Sequence, residues 1–258
     1  MLNRRIWWSA VGVSATLLIL FLLLPVAALV LTLTPRELLD GLMHPSVGPA
    51  MRLSVFTTLS SLLIVVGFGT PLAWLIAQRN ERWVRDAESL LRLPAVLPPA
   101  VAGVALLLVF GRRGLVGAWL SEVGVTIPFT TAAVILAEVF VAAPFFLQSA
   151  TAALRRVDPE QILVARTLGA SPARVFFRVA LPASAQGLLS GAGMAWARAL
   201  GEFGATLMFA GNLRGETQTL TLAVYSTFES DMQAARAMSA ILVVVAFLLL
   251  FALGRRGS

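Results

Sequence analysis

VARTLGASPARVFFRVALP (residues 164–182) interrupts a chain that is otherwise strongly apolar, with long hydrophobic runs on either side. It brings in three arginines, Arg166, Arg174 and Arg178, around a single glycine, Gly169. Ile162, Leu163, Ala165 and Leu168 recur at helical spacing just before the glycine. Gly169 suits the left-handed residue that ends a helix. Ser171-Pro172 then reads as the N-cap and first residue of a second short helix. The stretch therefore predicts helix, tight turn, helix, and continuation into a membrane span at Leu181-Pro182. A solvated loop with an interfacial helix would satisfy the same periodicity, so its purpose has to come from the rest of the chain.

Composition sets the class. The 258 residues have a mean hydropathy of +0.86, with 58% hydrophobic and 13% charged residues. Soluble domains carry roughly a quarter charged residues, so this is an integral membrane protein. The net charge of +7 comes with no basic helix and no aromatic–basic stripe, which argues against a nucleic-acid partner. All 20 basic residues are arginine, and there is no lysine. A P-loop needs the lysine of G-x-x-x-x-G-K-[ST] to reach the nucleotide phosphates, so this chain contains none. Absence of cysteine removes disulfides, thiolate metal sites and cysteine nucleophiles. His44 alone cannot build a multi-histidine metal site, and one His with one Tyr leaves little for a membrane hydrolase to work with. No cofactor or metal is expected on the chain itself.

A spanning helix needs about 20 mostly apolar residues. Six candidates follow: residues 7–33, 54–77, 93–110, 130–151, 183–211 and 237–254. The third contains Pro94, Pro98 and Pro99 and is expected to kink, or to begin only at Pro98. The fifth holds Gly187, Gly191, Gly193, Gly201 and Gly204, small residues that let helices approach closely in lipid, and is expected inside the bundle. The apolar run near the N-terminus outlasts the 7–15 residues of a signal peptide and reads as a retained helix, with Trp7 and Trp8 as interfacial anchors. With both ends on one side, thirteen arginines share that side, six lie on the other and Arg198 falls within a span. The positive-inside rule then puts both termini in the cytoplasm, and residues 155–182 with them. The outer segments 111–129 and 212–236 are each long enough for a short surface helix. The organisation expected is a first helix and outer loop over 1–50, a transmembrane domain over 51–252, and a cytoplasmic tail at 253–258.

Three charges fall inside spans: Glu138, Arg198 and Glu202. Each costs roughly 2.5–3.5 kcal/mol at a helix centre, so each should face the bundle interior or water. Arg198 and Glu202 are four apart and can pair on one helix face; Glu138 is an alternative partner for Arg198. Gly201, Gly204, Ala205 and Thr206 suit either close packing or a narrow gate. Candidates for a translocation path or gate are therefore Arg198, Glu202, Gly201, Thr206 and Glu138. Arg112 and Arg113, at the outer end of the third span, read as headgroup anchors or as an attraction for anions.

The 155–182 stretch resembles the EAA loop of the membrane subunits of ABC importers. That pattern is E-A-A, three residues, Gly, nine residues, an apolar residue, one more, then Leu-Pro. Here it falls on Leu163-Val164-Ala165, Gly169, Val179 and Leu181-Pro182. Leu163 and Val164 depart from the Glu-Ala of the family. ARALGEFGATLMFAGN (197–212), GETQTLTLAVY (215–225) and LPAVLPPAVAGVALLLVFGRRGLVG (93–117) are similar to the molybdate permease branch. The resemblance implies an all-α, type I importer permease in a prokaryotic inner membrane, carrying molybdate and tungstate, with sulfate or thiosulfate as the alternative cargo. It implies that Leu163, Val164, Ala165, Arg166, Leu168, Gly169, Ala170, Ser171 and Pro172 form a coupling loop on an ATPase. The implied partners are a second permease copy in a homodimer, two cytoplasmic ATPase subunits that hold ATP-Mg, and an extracytoplasmic oxyanion-binding protein. Asn212, Arg214, Glu216 and Asp231, with Glu229, are then candidates for docking that binding protein. An ion-coupled secondary transporter would use Glu138, Glu202 and Arg198 as a relay, but the chain halves show no inverted repeat. An inert membrane anchor would leave the intramembrane charges without a purpose.

Overall fold

Long apolar runs punctuated by proline and glycine give helices broken where those residues fall. The computed structural model describes residues 4–79 and 81–254, and every regular element among them is a helix. In chain order these are α1 (Arg4–Leu31), α2 (Pro35–Leu42), α3 (Val47–Ala77), α4 (Arg82–Leu91), α5 (Leu93–Val96), α6 (Pro99–Phe110), α7 (Gly117–Glu122), α8 (Thr131–Arg155), α9 (Pro159–Thr167), α10 (Pro172–Val175), α11 (Leu181–Leu200), α12 (Gly204–Ala210), α13 (Leu220–Phe228) and α14 (Met232–Gly254). A single π-helical turn, Phe176–Ala180, joins α10 to α11.

Three helices are long and apolar enough to cross a membrane unaided, over Trp7–Leu31, Val47–Ala77 and Thr131–Arg155. None of the apolar stretch of α1 is buried within the chain, which suits a helix facing lipid. The centre is α8, which packs on α3 and α11 and buries Ala137, Val141, Phe146, Ala150 and Leu154. Small residues set these contacts. A Cβ on Gly187 would stand 2.3 Å from the Cβ of Ala153, and one on Gly191 would stand 2.8 Å from that of Ser149. The expectation that the glycine-rich helix lies inside the bundle is met at this seam.

Three expectations need adjusting. The 93–110 span divides at Leu97-Pro98, and α6 turns by 113° from the α4–α5 segment. The cause is two adjacent prolines, which remove helical N–H donors and clash with the preceding turn. The 183–211 span is not continuous either: α11 ends at Leu200 and α12 begins at Gly204. The segment 212–236 carries a short helix that lies only partly at the surface, with Tyr225 and Phe228 exposed. Its helix α13 buries Leu220, Leu222, Ala223 and Thr227 and packs on α14 and α3. The last four residues of the expected 253–258 tail lie outside the described residues, and so do Arg255 and Arg256, which contributed to the arginine count.

The bundle has two distinct ends. At one, α9 and α10 project beside the ends of α3 and α8. At the other, the loops before α3, α8 and α13 meet: Arg214 donates to Ser46, and the Thr131 hydroxyl donates to the Glu216 carbonyl at 2.8 Å.

Candidate functional site

The 158–182 segment folds as helix, turn and helix. Asp158 starts α9 by accepting from the Glu160 amide at 2.9 Å, and Pro159 fills the first helical position. At the other end Gly169 sits at φ +80°, and Ala170 N–H returns to the Ala165 carbonyl at 3.0 Å. A side chain at position 169 would meet open space, so backbone conformation alone demands glycine here. Ser171 Oγ accepts from the Arg174 amide at 3.3 Å and opens α10.

This loop shows apolar side chains to its surroundings. Leu163, Val164 and Leu168 are exposed, Leu168 by 82%. Arg166, Gly169, Ser171 and Pro172 are exposed too, while Ala165 and Ala170 are half-buried. A groove of about 310 Å³ separates the start of α9 from the end of α3, lined among others by Gln78, Arg155, Val157 and Ile162. The base of the loop is fixed by α4. Glu88 accepts from Arg155 at 2.9 Å and from Arg92 at 2.6 Å. Partial burial opposes ionisation of Glu88, but the hydrogen bond and charge of Arg155, then those of Arg92, outweigh it and hold the carboxyl below its usual range.

Two of the three intramembrane charges, Arg198 and Glu202, lie at the break between α11 and α12. Arg198 Nη1 stands 2.7 Å from Glu202 Oε2; the glutamate side chain is 1% exposed and the arginine 28%. Glu202 Oε1 accepts from the Ala205 amide at 2.7 Å, and its carbonyl accepts from the Thr221 hydroxyl at 2.8 Å. One residue therefore neutralises the arginine, caps α12 and ties down α13. Beyond the break, α12 lies tight against α6. A Cβ on Gly204 would be 2.7 Å from Pro99 Cβ, and one on Gly103 would be 2.7 Å from the Ala205 carbonyl oxygen.

Glu138 is not the partner of Arg198. It is buried on α8 and accepts from Thr57 at 2.8 Å and Ser61 at 2.7 Å, both on α3. The same face of α3 supplies Thr58 Oγ1 to the indole N–H of Trp196 (3.1 Å) and Ser54 Oγ to the amide of Leu220 (2.7 Å). Sequence reasoning missed this row. Its signal is Ser54, Thr57, Thr58 and Ser61 at spacings of three and four inside an apolar span, a pattern that in lipid marks an interhelical hydrogen-bonding face. Thr206 is fully buried, and its hydroxyl has no hydrogen-bond partner; Gly201 is exposed at the break.

Of the outer candidates, Arg214, Glu216, Glu229 and Asp231 are exposed, and Asp231 caps α14 by accepting from Ala234 N at 3.0 Å. Asn212 is half-buried, with its Oδ1 enclosed and unpartnered. Arg112 and Arg113 are exposed in the turn after α6. Among the described residues, no cluster of three His, Cys, Asp or Glu side chains could hold a metal.

Residues 69–256 match the family described as binding-protein-dependent transport system inner membrane component. The chain belongs to that family. Within it, this inner membrane component is 43% identical to the molybdenum transport system permease protein ModB of Mycobacterium tuberculosis, over 92% of this chain and 90% of that one. It is 29% identical to the sulfate transport system permease protein CysT of Escherichia coli, over 95% of this chain and 90% of the relative. Among solved structures, it superposes with a TM-score of 0.76 on a chain of a bacterial alginate ABC transporter in complex with an alginate pentasaccharide-bound periplasmic protein. That match covers 97% of this chain and 93% of the other, at 16% identity. The type I importer permease fold implied by the sequence is thus the fold of the molecule.

Proposed function

We propose that this inner membrane component moves molybdate, with tungstate as a close second, into the cytoplasm. The single observation that carries the cargo is the gap in identity between the molybdenum permease relative (43%) and the sulfate relative (29%), each over nine-tenths or more of the chain. The subunit works as a homodimer with two ATPase subunits and is supplied by an extracytoplasmic oxyanion-binding protein. Both termini lie in the cytoplasm, which puts the 158–182 loop on the ATPase side and Asn212, Arg214, Glu216 and Asp231 toward the binding protein.

In this reading ATP-Mg is held by the partner, and the loop is the handle it moves. Exposed Leu163, Val164 and Leu168 form an apolar face for a cleft on the ATPase, while Gly169 sets the turn that presents it. Leu163 and Val164 stand where the family pattern has Glu-Ala, so docking here relies on apolar contact. Motion of α9 passes through Arg155 and Glu88 to α4, and through the π turn into α11, whose far end carries Arg198 and Glu202. Of the path candidates, Arg198 and Gly201 have exposure at the break and Glu202 pairs with Arg198, while Thr206 and Glu138 are buried.

The test is ATPase activity of the reconstituted complex with binding protein loaded in turn with molybdate, tungstate or sulfate. Stimulation by the first two alone is expected; stimulation by sulfate instead would reassign the cargo.

A further inference from the structure

Along the seam of α8 and α11, on the half nearer α9, the surface opens into a groove of about 470 Å³. Its lining is Ser149, Ala152, Ala153 and Arg156 from α8, with Ala183, Ser184, Gln186, Gly187 and Ser190 from α11. No lining residue is both apolar and larger than alanine, and none is acidic. A helix face turned to lipid looks different: α3 shows Leu63 and Phe68, each more than 70% exposed. Polar side chains left in hydrocarbon are costly and face a bundle interior or water instead. The lining therefore suits water better than hydrocarbon.

Its electrostatics have one sign. Arg155 is paired with Glu88 and Arg198 with Glu202, but its neighbour Arg156, exposed at the mouth of the groove, makes no ion pair with any described residue. The Ser149 hydroxyl donates to the Gly187 carbonyl at 3.0 Å, and Ser184 donates back to Ala180 at 2.7 Å. The first of these bonds ties α8 to α11, and neither engages the Arg156 guanidinium or the Ser190 hydroxyl. Ser190 stands eight residues before Arg198 on α11, about 12 Å along the axis at 1.5 Å per residue. The groove thus stops about two helical turns short of the neutralised pair and extends from there toward the α9 end.

We propose that this groove is the inner segment of the oxyanion path, where Arg156 and Ser190 hold a tetrahedral dianion loosely before release. The proposal rests on the transport reading above and gives that path a location. One arginine without a second charge suits a place an anion must leave, since a site that bound tightly would stall each cycle.

The absence of cysteine makes the test direct. Ala152→Cys, and as background Phe68→Cys, are placed singly in the ATPase complex in lipid nanodiscs. Each is labelled with a small anionic or a small cationic methanethiosulfonate, and the rates are read by mass spectrometry. Cysteine at 152 is expected to label at least tenfold faster than cysteine at 68. Adding Arg156→Gln is expected to lower the anionic-to-cationic rate ratio by roughly fivefold, the scale of one nearby unit charge in a watery groove. Arg156→Lys should keep the ratio, and millimolar molybdate should slow labelling only where position 156 is charged. Labelling at 152 no faster than at 68 overturns the proposal, because the groove is then not wet. So does a ratio indifferent to position 156, because the groove then carries water without selecting anions. Failure of molybdate-loaded binding protein to stimulate the ATPase strikes the cargo assignment instead and leaves the labelling result standing.

Discussion

The loop over 158–182 and the break over 198–206 handle polarity in opposite ways. In the loop, Leu163, Val164 and Leu168 are exposed among the described residues, on a segment flanked by arginines. At the break, Glu202 is drawn out of water altogether and satisfied by Arg198 and the Ala205 amide. The loop holds its shape through local signals, caps and one left-handed glycine, and gains little from the core. The break adds to its own local bonds partners on α6 and α13. A segment built locally can move as a unit when something grips it, whereas one built from long-range contacts transmits motion to whatever it touches. This division fits a handle at one end of the molecule and a bundle that responds.

The largest effect on stability should come from the break. Glu202→Ala leaves Arg198 uncompensated and α12 uncapped. Breaking a buried pair costs about 3–5 kcal/mol, and because Arg198 is partly exposed the loss should fall near the lower end. A clear fall in melting temperature of the detergent-purified protein is expected; an unchanged value would mean the break is not held by this pair. Gly187→Val forces a branched side chain against Ala153 and should cost about 1–3 kcal/mol by overpacking. Yield and melting temperature should both drop, and normal values would show that α8 and α11 can slide apart.

The loop should respond in the other direction. Gly169→Val places a β-branched residue at φ +80°, a strain of roughly 1–2 kcal/mol confined to an exposed turn. Melting should change little while stimulation of the ATPase by loaded binding protein is lost. Retained stimulation would remove the loop as the handle.

The smallest effect belongs to Glu88→Gln, since a pair with partly exposed arginines contributes about 0–1 kcal/mol. The sign follows from the lowered carboxyl: its stabilisation is present above the ordinary carboxylate range and is lost as pH falls through the folded-state value. Wild type should therefore melt slightly above Glu88→Gln at neutral pH and match it once Glu88 is protonated. A difference that persists in acid would assign the effect to packing rather than charge.

How much of this was legible in the sequence follows the same division. Gly169 and Ser171-Pro172 act on their own neighbours, so the helix, turn and helix of the loop could be read residue by residue and fold as read. The Arg198–Glu202 pair was legible as well, because its members share one helical turn. The interruption at 201–203 was not. It depends on Glu202 meeting the amide of Ala205 and the hydroxyl of Thr221, and on α6 offering Pro99 to Gly204, contacts that no local period announces. The hydroxyl row of α3 stood in plain view at helical spacing. Its three partners, Glu138, Trp196 and the Leu220 amide, come from elements far apart in the chain. Burial of one face of α13 was missed because its length and flanking turns suit a fully exposed surface helix equally well.

The most direct test of the proposal that a partner ATPase drives this chain is molybdate uptake into vesicles carrying the full complex, with ATP supplied on the ATPase side and binding protein on the other. Uptake should require ATP and persist when an ionophore collapses the ion gradients. Uptake that stops with the ionophore while ATP remains high would contradict the ATPase-driven reading and put the buried carboxylates forward as an ion relay.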